Sequence, residues 1–361
     1  MITKLPEIIA KLPAAERSLC ERLFKVITGT GHLIVPPTMR ASVEQGFGSV
    51  GAVEHQQIVR VTNRVTLDTT IFNPLRGKRP QPVNQNQNLE QMIEAGRATD
   101  NPFAKPLETT APDVFGRIEG AYSVTSANIA KLEVWHGLTI FNEYHPLEFS
   151  QPQVIDYLLT AREWAEAAHQ EDAKAIYFIF LWNCLWRAGS SILHGHAQMC
   201  LGHEMHYGQI ERLRRDAAIY SDRHKRSYFN DLVQVHRALG LTADPADRVK
   251  AMAHLTPTCD REIILLTDLY SPELGEALYK VLAYYKSLGV NSFNVVIQMS
   301  PIGNSSEDWS GFPVLARIVD RGDASIRNND WGSINLFASS VATTDPFSLA
   351  QGFRDWLRKN P

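Results

Sequence analysis

Two histidines and a glutamine alternate within one short stretch of the sequence, residues 192–200. If this stretch is a β-strand, His194, His196 and Gln198 share one face, because successive side chains of a strand point to opposite sides. A neutral imidazole nitrogen is a good nucleophile for phosphorus, and a glutamine amide can donate a hydrogen bond to a phosphoryl oxygen. The pattern therefore predicts a site for phosphoryl chemistry, with these three side chains as its candidate catalytic residues.

The segment just before this strand contains residues suited to holding a phosphate group. Gly189, Ser190 and Ser191 form a predicted turn. Backbone N–H groups and hydroxyls in such a turn can donate to phosphate oxygens. We expect the turn and the strand to act together as a phosphate-binding site.

Two other interpretations of the histidines stay open at this point. In the first, the His-x-His pair only fills a half-buried strand and has no chemical role. In the second, the pair binds zinc, since further histidine and cysteine ligands follow closely in the chain. Those additional ligands would be Cys200, His203 and His206.

The elements that must position this site occur twice in the chain. Each copy is a strand, then a helix that begins with Ser-Pro or Ser-x-Pro, then a second strand. The two capping serines, Ser150 and Ser271, lie 121 residues apart (271 − 150), and the second strands begin 117 residues apart (293 − 176). This spacing predicts an internal duplication, although two common units could also coincide by chance. The strands are predicted over 138–142, 176–182, 262–266 and 293–299.

Three further regions complete the predicted organisation. Hydrophobic periodicity predicts a helix over residues 14–28 and one long or broken helix over 210–239 that connects the two copies. Residues 73–113 are rich in Pro, Asn and Gln, a composition typical of a surface loop.

Length, charge and cysteine content exclude several classes of protein. The 361 residues favour two domains, because one hydrophobic core rarely serves more than ~300 residues. The net charge of −3 comes without the basic stripe of a nucleic-acid-binding protein, and no apolar run is long enough to span a membrane. The four cysteines form no C-x-x-C pair and no secretory leader is evident, so we expect a cytoplasmic protein.

The strand predicted over 176–182 and the histidine motif that follows it together resemble one branch of the histidine-triad superfamily. The strand over 176–183 ends in Asn183, a Gly-x-Ser turn follows at Gly189, and the motif His-x-His-x-Gln begins at His194. This order resembles the galactose-1-phosphate uridylyltransferase branch, in which glutamine replaces the third histidine of the hydrolases. Upstream, Arg76-Gly-Lys-Arg79-Pro is similar to the family's phosphate-contacting segment.

The resemblance implies both an architecture and a reaction. It implies an α+β fold of two tandem domains, each an antiparallel sheet packed with helices. The predicted boundaries are an N-terminal extension over 1–69, a first domain over 70–205 that carries the motif, and a connecting helix and motif-free second domain over 206–361. It also implies a nucleotidyltransferase that works as a homodimer on a nucleotide sugar or dinucleoside polyphosphate and a phosphorylated acceptor.

The resemblance also assigns roles to individual residues. His196 would form a covalent bond to the nucleotide, with Gln198 and Ser191 stabilising the transferring oxygens and His194 orienting the site. The leaving group and the nucleotide would be held by four further residues, Arg76, Arg79, Asn128 and Asn183. Three alternatives remain: a phosphorylase of the same superfamily, a metal-dependent hydrolase, and a nucleotide-binding protein without activity.

The family's structural zinc site is altered in this chain. Its two cysteine positions are occupied by Asn101 and Ala104, which leaves only His145 and His194 as ligands. We therefore expect this zinc site to be empty or absent, and the sequence identifies no certain cofactor.

Overall fold

The computed structural model describes residues 1–78, 88–97, 101–325 and 331–361. Within these ranges the strands are β1 Phe24–His32, β2 His55–Asn63, β3 Thr69–Phe72, β4 Ser123–Ala127, β5 Trp135–Phe141, β6 Ala175–Cys184, β7 His196–His203, β8 Thr242–Ala246, β9 Val249–Ala253, β10 Ile263–Thr267, β11 Phe293–Gln298, β12 Val314–Asp320 and β13 Ser340–Ala342. The helices are α1 Leu5–Lys11, α2 Ala14–Leu23, α3 Arg40–Phe47, α4 Val50–Glu54, α5 Leu89–Arg97, α6 Pro106–Thr109, α7 Gln151–Glu171, α8 Gly208–His224, α9 Tyr228–Ala238, α10 Pro272–Ser287, α11 Ser333–Phe337 and α12 Pro346–Lys359.

Nine of these strands form one continuous sheet in the order β4-β5-β7-β6-β11-β12-β10-β9-β8. The sheet contains two sets of four strands with the same order. The first set is β4-β5-β7-β6, and the second, read inwards from the other edge of the sheet, is β9-β10-β12-β11. The two halves meet where β6 pairs antiparallel with β11. The predicted duplication and the predicted α+β class are therefore confirmed.

The long helix of each half packs on one face of this sheet. Ser150 and Gln153 form the predicted capping box at the start of α7, and Pro272 follows the N-cap Ser271 of α10. The helices bury Trp164 and Leu278 against strand residues such as Phe178 and Trp182, in the main hydrophobic core. This arrangement leaves the opposite face of β5, β7 and β6 for the candidate site.

The N-terminal residues belong to the same packed body as the duplicated sheet. Their strands form a second sheet in the order β1-β2-β3-β13, closed by a C-terminal strand. Leu23 and Val61 are buried in the main core, and Asn63 donates a 2.8 Å hydrogen bond to Tyr228 of the second half. The domain boundaries at 69 and 205 stay a prediction.

Two elements differ from the sequence predictions, and a third decides between the long and the broken form of the connecting helix. The first long helix ends at Leu23 rather than residue 28, because the β-branched run that follows pairs along nine residues with β2. The connecting helix breaks at Lys225, which has a left-handed φ of 54°, and Ser227 caps α9. The loop region 73–113 contains α5, which buries Ile93 completely.

None of the helices in the described ranges is long and apolar enough to cross a lipid bilayer.

Candidate active site

The strand that carries the candidate residues, β7, begins at His196, four residues later than predicted. His196 and Gln198 lie on the same face as their β5 partners Ile140 and Leu138. His194 lies in the turn before the strand and so does not belong to the alternating face. The turn is fixed by Gly195, whose N–H donates to the Tyr144 carbonyl and whose carbonyl accepts from Phe141.

The hydrogen bonds of His196 determine which of its nitrogens can react. Its Nδ1 lies 2.8 Å from the His194 carbonyl oxygen, so Nδ1 carries the proton and donates. Nε2 of the neutral ring therefore keeps its lone pair. Burial lowers the pKa of His196 below its ordinary 6.5, which keeps the ring neutral at pH 7. The edge-to-face ring of Phe103, 5.1 Å away, encloses the imidazole.

His194 is held on both ring nitrogens and has no lone pair available for chemistry. Its Nε2–H donates to the Phe141 carbonyl at 2.8 Å, and its Nδ1 accepts from the Asn101 amide at 3.0 Å. Burial lowers its pKa as well. His194 thus anchors the turn that presents the carbonyl group to His196, which is an orienting arrangement.

Gln198 is linked to a buried histidine that the sequence prediction missed. The Oε1 atom of Gln198 lies 3.0 Å from Nε2 of His136 on β5. The same Nε2 lies 3.2 Å from the Asn128 side-chain amide, so the predicted Asn128 borders this group. His136 lies just outside the strand predicted over 138–142. A longer strand prediction would have put it on the face of Gln198 by simple alternation.

The predicted phosphate turn, residues 189–191, is separated from β7 by residues 192–195. Gly189 has a φ of 95°, a left-handed conformation in which glycine is favoured, and it is exposed together with Ser191. Ser190 is buried and uses its hydroxyl to donate to the Ile192 carbonyl at 2.7 Å. The Gly189 N–H donates to the Trp186 carbonyl at 3.0 Å and, with Ser190, stabilises the turn, whereas Ser191 presents its hydroxyl at the surface.

Asn183 lies near the end of β6. The pairing of β6 with β7 ends two residues earlier, at Leu181 and Gln198, and on its other side Asn183 pairs with Asn294 of β11. The Asn183 Oδ1 accepts from Asn294 at 2.7 Å, and Asn294 in turn accepts from Arg321 at 2.7 Å. These hydrogen bonds thus link Asn183 to Arg321 in the neighbouring half of the sheet.

Arg321, the last residue of this hydrogen-bonded series, lines a cavity of about 480 Å³ at the junction of the two halves. Its lining combines guanidinium groups and indole rings with Gly189 of the phosphate turn. Asp320 pairs with Arg261, and Arg321 stacks under the Trp331 ring at 5.3 Å. The cationic and aromatic lining residues are Arg187, Arg261, Arg321, Trp186 and Trp331.

Of the two upstream arginines, the structure describes only Arg76. Arg76 is exposed in a short 3-10 turn, Pro74–Lys78, that lies against Thr343 through Gly77. Arg79 lies outside the described residues. Their assignment to the leaving group stays a prediction.

The residues at the family's zinc positions make hydrogen bonds that do not fit a metal. Asn101 donates to His194, Ala104 has no ligand atom, and the His145 Nε2 lies 3.1 Å from Glu90. In the part of the chain that the structure describes, no group of three or more His, Cys, Asp or Glu side chains could hold a metal ion. No chemical step is derived through zinc.

The other clustered histidines and Cys200 are engaged separately. His203 lies 2.7 Å from Asp172, and the His206 Nε2 lies 3.2 Å from the Met299 carbonyl oxygen. The His224 ring packs at a tilt against Tyr220 at the end of α8. Burial raises the pKa of the Cys200 thiol to about 11, so this group is protonated at pH 7.

Comparison with known proteins gives similarity at the level of structure only. No protein-family model matches the sequence, and the curated proteins contain no match. An ADP-glucose phosphorylase from Arabidopsis thaliana with bound ADP-glucose has a TM-score of 0.65 at 15% identity, over 82% of this chain and 99% of that one. A GalT-like protein from Arabidopsis thaliana has a TM-score of 0.59 at 16% identity, over 70% and 91% of the two chains.

A uridylyltransferase structure also matches, with a TM-score of 0.57 at 14% identity, over 83% of this chain and 98% of that one. These three structures cover most of the chain and nearly all of their own lengths. The resemblance predicted from the His-x-His-x-Gln motif is confirmed for the fold. The chain therefore has the tandem-domain α+β fold of the galactose-1-phosphate uridylyltransferase-like proteins.

Proposed function

We propose that the protein is a nucleotidyltransferase that carries a nucleoside monophosphate on His196. The observation that carries the proposal is the Nδ1–H bond from His196 to the His194 carbonyl, which leaves the lone pair of a neutral ring on Nε2. The amide of Gln198, two residues along the same face, is a donor for the phosphoryl oxygens.

The reaction would be a double displacement. The Nε2 lone pair attacks the α-phosphorus of the donor, the P–N bond forms, and the P–O bond to the leaving group breaks with its electron pair on the departing oxygen. The imidazole then bears a positive charge, which the His194 carbonyl stabilises through Nδ1–H. A phosphate oxygen of the acceptor next attacks phosphorus, and the P–N electron pair returns to Nε2.

We assign the departing group and the acceptor to the cavity lined by Arg261 and Arg321. Leaving group and acceptor occupy the same place in a double displacement, and this cavity begins at Gly189 of the phosphate turn. Guanidinium groups are well suited to phosphate, and indole rings pack against sugar or base rings. The chemistry of the lining thus supports a phosphorylated sugar or nucleotide as the second substrate.

One experiment tests the proposal and identifies the nucleotide. The protein is incubated separately with UDP-glucose, ADP-glucose and diadenosine tetraphosphate, and its intact mass is recorded. We expect an acid-labile gain equal to UMP or AMP, absent in His196→Ala and present in His203→Ala, a matched control on the same strand. ADP-glucose is a natural first donor, because the similar phosphorylase structure holds it.

Each outcome separates the alternative classes. No adduct with any donor, under conditions where an established transferase shows one, overturns the proposal. Binding of nucleotides without turnover would instead favour a silent nucleotide-binding protein. With an adduct in hand, release of the nucleotide by inorganic phosphate identifies a phosphorylase, and release by a hexose 1-phosphate identifies a sugar-phosphate transferase.

A further inference from the structure

His136 is a buried histidine on the reactive face of the sheet. It lies on β5 opposite Cys200 and is 1% exposed. Burial lowers the pKa of His136 below 6.5, and the positive charge of Lys131 lowers it further. The hydrogen bond between His136 and Gln198 acts in the opposite direction. The ring is therefore neutral at pH 7, and its two nitrogens have different roles.

The backbone determines which nitrogen of His136 carries the proton. The N–H of Leu132 donates to Nδ1 of His136 at 2.9 Å. A nitrogen that accepts a hydrogen bond carries no proton, so in the neutral ring the proton lies on Nε2. The Asn128 amide nitrogen lies 3.2 Å from the same Nε2 and would favour the other tautomer, but the bond from Leu132 is shorter and its backbone donor cannot rotate, so it decides the tautomer. Protonation of Nδ1 would place two N–H groups against each other, which further disfavours the charged ring.

The Nε2–H of His136 in turn selects the orientation of the Gln198 amide. It donates to Oε1 of Gln198 at 3.0 Å. If the amide were rotated by 180°, two donors would face each other across this distance. The NH2 group of Gln198 must therefore point the other way, and no described residue accepts a hydrogen bond from it.

We propose that His136 is a positioning residue for the nucleotidyl transfer step. Through its Nε2–H it holds Gln198 with the NH2 group directed at the oxygens of the transferring phosphoryl group. A donor fixed before the reaction stabilises developing charge without reorganisation, whereas a freely rotating amide presents its oxygen part of the time. This inference rests on the proposed function, because it assigns Gln198 to the transfer step.

The first test measures the free protein and does not depend on activity. The ring nitrogens of 15N-histidine-labelled protein are observed by NMR, and the His136 signals are identified by their loss in His136→Gln. We expect the Nε2–H tautomer of a neutral ring at pH 7. The Nδ1–H tautomer or a charged ring overturns the inference, whatever the protein's activity.

The second test separates positioning from a purely structural role. Single-turnover rates of adduct formation are compared in wild type, His136→Leu and His136→Gln, with thermal unfolding measured for each. We expect His136→Leu to slow the chemical step at least tenfold, short of the ~10²–10³ lost with a complete oxyanion donor, while nucleotide affinity changes less than threefold. Gln can accept from Leu132 and donate to Gln198, so His136→Gln should recover most of the rate.

A double-mutant cycle with Gln198→Ala completes the test. We expect His136→Leu to have no further effect when Gln198 is already absent, because its influence passes through that amide. Rates of His136→Leu within twofold of wild type, or effects that multiply in the double variant, overturn the inference. If wild type forms no adduct with any donor, the proposed function fails, and the role of His136 in transfer fails with it even where the tautomer is as expected.

Discussion

Replacing Gly195 by alanine should misplace His196, the proposed nucleophile, while leaving its imidazole intact. A Cβ at this position would lie 2.8 Å from Cδ2 of Phe141 and 3.2 Å from the Glu143 carbonyl oxygen. The first distance is about 0.7 Å short of the ~3.5 Å at which carbon atoms pack. Phe141 has little room to move, since its ring stacks on Tyr157 at 3.6 Å and meets the edge of Trp182. The turn that carries His194 and His196 must therefore shift.

The expected magnitude follows from this shift. Overpacking of a buried site typically costs ~1–3 kcal/mol of unfolding free energy. A displacement approaching ~1 Å at the reacting atom can cost ~10²-fold in rate, so we expect adduct formation to fall roughly 10- to 100-fold in Gly195→Ala. Gly208→Ala is the matched control, because nothing lies within 4 Å of a Cβ there. Urea unfolding and single-turnover mass spectrometry measure both effects. A Gly195→Ala protein with wild-type stability and rate would refute the reasoning.

Three further predictions follow from the same geometry. Burial lowers the pKa of His196, and protonation removes the Nε2 lone pair. The rate of adduct formation should therefore stay constant as the pH falls to 6.5 and decline only below pH 6.5. A midpoint above 6.5 in the pH–rate profile would contradict this. Asn101→Leu leaves Nδ1 of buried His194 without its donor and should lower the unfolding free energy by ~1–3 kcal/mol in urea titrations, whereas an unchanged midpoint would show that this bond is dispensable. Arg321→Gln should slow both half-reactions at subsaturating substrate, because Arg321 lines the cavity assigned to the leaving group and the acceptor. Calorimetry should show unchanged binding of the nucleoside monophosphate. A loss of that binding would instead assign the cavity to the nucleotide.

Much of the duplicated framework could be predicted because local signals agree with the tertiary fold. The capping box at Ser150 and the apolar stripe of α7 give the helix, and the repeated spacing gives the second copy. The helix over residues 14–28 was partly wrong because β-sheet pairing is a long-range interaction. Residues 24–28 gain their partner from β2, more than 30 positions away, and helical periodicity does not register that partner.

The site was predictable where it depends on spacing and unpredictable where it depends on side-chain partners. His196 and Gln198 share a face by alternation alone. The bond from Asn101 to His194 and the contact of His136 with Gln198 join residues 93 and 62 positions apart, so they appear only in the folded chain. The tautomer of each histidine depends on such bonds, and with it the assignment of the nucleophilic nitrogen.

The most direct measurement of the central claim is the position of the phosphorus on the labelled protein. Protein with 15N-histidine is trapped with its nucleotide donor, and 31P and 15N NMR identify the P–N bond, with peptide mapping to locate the residue. The account predicts a phosphoramidate on Nε2 of His196, because Nδ1 is held by the His194 carbonyl. A bond to Nδ1, an adduct on another residue, or product formation without any phosphoramidate would contradict it.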